Sequence, residues 1–93
     1  MYTLTVIMKF YIPHATSLKD KRQVYRSLID KTRKHFNVSI AEVDTQDILQ
    51  TLTLGIAVVS GDYSHGQNSI EEIIRFMERN ADAELTNVER NDL

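Results

Sequence analysis

From residue 3 to residue 12, apolar and polar positions alternate with a period of two. Leu4, Val6, Met8, Phe10 and Ile12 fall on one side, and Thr3, Thr5, Ile7, Lys9 and Tyr11 on the other. This is the pattern of a half-buried strand, and Pro13, which has no amide hydrogen to donate, ends it. After the loop His14-Ala15-Thr16 the period changes to that of a helix over 18–36. Val24, Tyr25, Leu28, Ile29, Thr32 and Phe36 share one side with Leu18, the side expected to face a core. Ser17 followed by Asp20 reads as a capping box at the helix start, and Asn37 suits a left-handed stop at its end.

A second strand is predicted over 38–44. Val38 and Ile40 alternate, but Ala41 and Val43 are out of phase with them, so either both faces are partly covered or the strand bulges. The polar connection Asp44–Gln50 leads to a third strand over 51–60. Leu52, Leu54, Ile56 and Val58 point to the core, and Thr53, Gly55, Ala57 and Val59 form a small-residue face on the other side. The second helix, over 63–80, carries the stripe Ile70, Ile73, Ile74 and Met77. It has two candidate starts: Asp62 as cap, with Gly66 in the early turns at a cost of about 1 kcal/mol relative to Ala, or Ser69 with Glu72. A charged stretch over 83–91 suits an edge strand.

The order β-α-β-β-α-β, in a single domain spanning 1–93, predicts an α+β ferredoxin-like sandwich. Two helices should cover one face of a four-stranded antiparallel sheet. The most apolar strands, the first and third, should be central and the other two at the edges.

Charge then separates the chain into two parts. Residues 17–36 hold seven Lys/Arg against Asp20 and Asp30, a net +5, and Lys9 adds one more positive charge. Residues 37–93 hold Arg75, Arg79 and Arg90 against eleven acids, a net −8, within an overall −2. On the helical wheel, Lys19, Arg22, Arg26 and Arg33 form a stripe along one flank of the first helix. Lys31 and Lys34 point elsewhere, and Lys21 lies within the apolar arc but in the first turn, where it can reach past the end of the core. The chain has no cysteine, which removes disulfides and thiolate metal sites and fits a reducing cytoplasm. No apolar run approaches the roughly 20 residues of a membrane span, and the N-terminal alternation lacks the layout of a signal peptide.

The segments Ile12-Pro13, Ser17-Leu18-Lys19-Asp20-Lys21-Arg22, Phe36-Asn37-Val38-Ser39-Ile40-Ala41-Glu42-Val43, Gln46-Asp47 and Leu54-Gly55-Ile56-Ala57-Val58-Val59-Ser60 together resemble the YlxP-like family, small bacterial proteins of unassigned function. The resemblance runs through Ala83-Glu84-Leu85 and implies the same ferredoxin-like fold. It also implies a setting, since members are commonly encoded beside transcription-elongation and translation-initiation factors and a ribosome-assembly factor. It implies no catalytic residues. Gly66-Gln67-Asn68 departs from the better helix formers of the relatives.

Little in the chain points to a reaction. The topology places His14 and His65 at opposite ends of the sheet, with His35 near the end of the first helix. Ser17 and Ser60 have no evident histidine base, and the three glycines do not form a phosphate loop. Acylphosphatases share this fold and use an arginine in the loop after the first strand, but Pro13-His14-Ala15-Thr16 contains none. Glu42, Asp44 and Asp47 could offer oxygen ligands to a divalent cation, or could be neutralised by Lys19, Lys21 and Arg22. The second is the preferred reading, so no metal, cofactor or small-molecule substrate is expected, and the protein is read as non-enzymatic. The leading expectation is an RNA- or ribosome-associated cytoplasmic protein that contacts phosphates through Lys19, Arg22, Arg26 and Arg33, with Lys34 as an extra contact. The alternative is a homodimeric interaction or regulatory module working through the open sheet face. That face is expected to carry Thr5, Ile7, Tyr11, Gly55, Ala57 and Val59, with Lys9 as its one charge.

Overall fold

Alternation in Tyr2–Tyr11 produces β1, and the 3.6-residue stripe in Leu18–His35 produces α1. Next come β2 (Ser39–Glu42), β3 (Thr51–Ser60), α2 (Tyr63–Asn80) and β4 (Glu84–Asp92). The structure is a computed structural model and describes residues 1–92. The strands form one antiparallel sheet in the order β2-β3-β1-β4. The two most apolar strands are therefore central, as their composition predicts. The α+β ferredoxin-like arrangement stands.

Leu4, Val6, Met8 and Phe10 of β1 and Leu52, Leu54 and Ile56 of β3 are buried beneath the helices. Val24, Leu28 and Ile29 of α1 and Ile70, Ile73 and Met77 of α2 close the core from above. Burial of each such side chain contributes about 1.5–3 kcal/mol. Leu18 does not belong to this set. It is 41% exposed at the first position of α1, although Lys21 in the same turn is buried.

The helix ends differ in part from the sequence reading. The Ser17 hydroxyl accepts from the Asp20 N–H at 3.1 Å, as a cap should. The Asp20 carboxylate reaches further back than a capping box, however. It accepts from the Thr16 N–H at 3.0 Å and the Thr16 hydroxyl at 2.8 Å. Asn37 is not left-handed: α1 ends on extended Phe36, and Asp44, with φ 65°, is the positive-φ residue among those described.

The start of α2 is settled at Asp62, whose side chain accepts from the His65 N–H at 2.7 Å. Gly66 is buried on the helix face against the sheet. A Cβ there would lie 2.6 Å from a Leu4 methyl and 3.0 Å from the Ser60 Cβ. The glycine lets helix and sheet approach closely, and this offsets its poor helix propensity.

The out-of-phase positions of β2 have the first of the two explanations: both faces are used. Its register with β3 is regular. Ile40 and Glu42 point toward the helices. Ala41 lies on the open face, and Val43 packs over Gly55, 3.4 Å from where a Cβ would sit. The irregularity lies instead in the β1–β4 pairing, between Lys9 and Phe10.

Candidate nucleic-acid interface

Two side-chain anchors, buried Lys21 and exposed Arg33, fix the orientation of α1, and that orientation decides which residues its flank presents. Lys21 is 1% exposed. Its ammonium is 2.7 Å from a Glu42 carboxylate oxygen and donates to the carbonyls of Thr45 at 2.6 Å and Ile48 at 2.7 Å. The ammonium thus makes two hydrogen bonds to backbone carbonyls, and its charge is compensated by the Glu42 carboxylate. These contacts join the first turn of α1 to the end of β2 and to the loop that follows. Near the other end of the helix, the Arg33 guanidinium donates to the Ile40 carbonyl of β2 at 3.0 Å.

With these anchors in place, the flank bearing Lys19, Arg22, Arg26 and Arg33 borders the β2 edge of the sheet, away from α2. All four side chains are exposed, as is Lys34. Among the described residues, Lys19, Arg22, Arg26 and Lys34 form no ion pair, so their charges are not neutralised within the fold. Arg33 differs, since its hydrogen bond to β2 makes it partly an anchor. Lys34 falls to the solvent side of the stripe.

The acids near this end behave differently from one another. Glu42 is committed to Lys21, whereas Lys19 and Arg22 pair with no acid among the described residues. The expectation that all three cations neutralise this loop therefore holds for Lys21 alone. Asp44 and Asp47 are exposed, and no group of three or more His, Cys, Asp or Glu among the described residues is placed to hold a metal. Asp20 has its carboxyl held below the usual range, first by the Thr16 backbone N–H, then by the Thr16 hydroxyl, with smaller help from Ser17 and His14. His14 lies 3.3 Å from Asp82, and both line a recess of about 410 Å3 with Asp20, Ser27, Lys31 and Asn80. The other two histidines, His35 and His65, line a separate recess of about 330 Å3 with Ser60 and Ser69. Sequence spacing gave no sign of that second grouping, because it depends on the ends of β3 and α1 meeting α2.

The residues expected on the open face are only partly brought together. Thr5, Ile7, Gly55 and Ala57 line one shallow groove of about 300 Å3 with Ser39, Ala41 and Val43. Tyr11 and Val59 lie toward opposite ends of the sheet, paired with Thr51 and Thr3 respectively. Two expectations need correcting. Thr53 is 2% exposed, covered by the loop whose Thr45 hydroxyl donates to its own at 3.0 Å. Lys9 is also not alone in charge: the β4 register sets Glu89 across from Ile7 and Glu84 across from Tyr11, so both acids share this face.

Together, the strand order, the two helices on one face and the register define a ferredoxin-like α+β sandwich. A de novo designed protein with a ferredoxin fold, solved by solution NMR, superposes with a TM-score of 0.57 at 19% identity, covering 99% of this chain and 85% of that one. The chain belongs to the protein family of unknown function DUF503, whose model matches residues 3–90. It is 33% identical over 72 residues to the uncharacterized protein YlxP of Bacillus subtilis (strain 168), covering 77% of this chain and 78% of that protein. Among the described residues, no helix is long and apolar enough to cross a membrane.

Proposed function

We propose that this protein is a cytoplasmic, RNA- or ribosome-associated factor that binds the phosphate backbone through the exposed flank of α1 and carries out no catalysis. The observation that carries this reading is the row Lys19, Arg22 and Arg26, exposed on one flank and in no ion pair among the described residues. Surface cations normally lie among acids. Here the acids lie mostly on the second half of the chain, which repels a polyanion from other faces and orients its approach. Contacts of this kind position a backbone and read no base sequence. Lys34 and Arg33 extend the row toward the end of the helix, with Arg33 held in place by its bond to Ile40.

Lysine footprinting tests the assignment. With single-stranded RNA present, acetylation of Lys19 should fall several-fold while Lys9, on the opposite face of the sheet, and Lys31, in the recess between the helices, are unaffected. Equal protection of all three lysines, or of none, would contradict it.

A further inference from the structure

The open sheet face bears features that the proposed RNA contact does not use. It combines a shallow groove floored by Gly55, Ala41 and Ala57 with two projecting side chains, Val59 at 64% and Tyr11 at 41% exposure. It also carries charges of both signs: Lys9 on β1, and Glu84 and Glu89 on β4. None of these three is in an ion pair among the described residues.

We infer that this face is the contact surface for a second copy of the chain, with Lys9 of each copy paired to Glu89 of the other. Self-complementarity identifies the occupant. A two-fold interface brings a patch against itself, so it needs a recess and a projection, and a cation and an anion, on one surface. This face has all four. Three strands of about 30 Å and the four-residue β2, spaced about 4.8 Å apart, present on the order of 500 Å2 per copy. Two copies then bury about 1,000 Å2, the size of a weak, transient interface. The association is therefore reversible and concentration-dependent. The small residues of β3 have a role in this arrangement, since they let the two sheets approach closely.

Sedimentation velocity without RNA, from about 1 μM to about 1 mM protein, tests the inference. The wild type should pass from monomer to dimer across this range. Val59→Lys changes a residue that is already mostly solvent-exposed and so leaves folding intact, as circular dichroism will verify; it should weaken association at least tenfold. Lys9→Glu should weaken it as well, and Lys9→Glu with Glu89→Lys should restore it. A wild type that stays monomeric throughout overturns the inference and leaves the face to a different protein. A dimer indifferent to Val59→Lys overturns the choice of face. A Lys9→Glu defect that the charge exchange does not repair overturns the reciprocal pairing.

Discussion

An inward-facing lysine is among the least common core residues, and Lys21 is tolerated because Glu42 balances its charge and two loop carbonyls accept its hydrogen bonds. Removing one partner of such a pair strands the other away from water and costs about 3–5 kcal/mol. Lys21→Met keeps most of the side-chain volume but leaves Glu42 and two loop carbonyls unpaired. It should therefore destabilise the fold by about 3 kcal/mol in urea unfolding, with the loop after β2 losing hydrogen-exchange protection first. Gly66 offers a second case. Ala is the better helix former by about 1 kcal/mol, yet the methyl of Gly66→Ala would press into Leu4 and Ser60. Overpacking should outweigh propensity, for a net loss of about 1–2 kcal/mol by thermal denaturation. Asp20 makes stability depend on pH. The Thr16 backbone N–H and hydroxyl hold its folded pKa below the usual carboxylate range, so the folded state holds the proton less tightly than the unfolded chain. Its contribution is complete above the unfolded pKa and is lost as pH falls through the depressed folded pKa. Asp20→Asn should flatten the acid limb of the stability curve measured below about pH 4.

At the scale of elements, the strands and helices were legible because each keeps its period for most of its length. Less legible were features set by contacts distant in sequence. Leu18 fits the apolar arc of α1, and only its exposure in the folded chain shows that it lies outside the core. Ala41 and Val43 were visibly out of phase in β2, but the choice between a bulge and a second covered face required Gly55 beneath Val43. The β1–β4 irregularity has no signature in β4, so the presence of Glu84 and Glu89 on the open face could not be read from that strand alone. The start of α2 also depended on a distant partner: Gly66 argues against a helix until Leu4 is placed beside it. The Asp62 cap carries a prediction of its own. Asp62→Ala should cost about 1 kcal/mol and fray the turn over 63–66, detectable as faster amide exchange at His65.

On the scale of the whole molecule, charge and shape divide between surfaces. The cation row was legible from helical spacing alone, because a wheel needs no tertiary information. Its freedom from ion pairs was not, since a neighbouring acid could have come from any element. Among the described residues, Lys21 is the cation of the first turn that meets an acid, and it is the one turned inward, which leaves the outer flank without an ion pair there. The central claim is that this flank contacts RNA phosphates, and it is tested most directly by the salt dependence of binding to single-stranded RNA. Each phosphate contact contributes about −0.7 to the log–log slope, so about four contacts predict a slope on the order of −3. Arg22→Glu with Arg26→Glu alters two exposed residues outside the core and should leave the fold unchanged while abolishing binding. Filter binding of wild type and double variant across a salt series should therefore separate the two clearly at low salt; indistinguishable curves at every salt concentration would contradict the account.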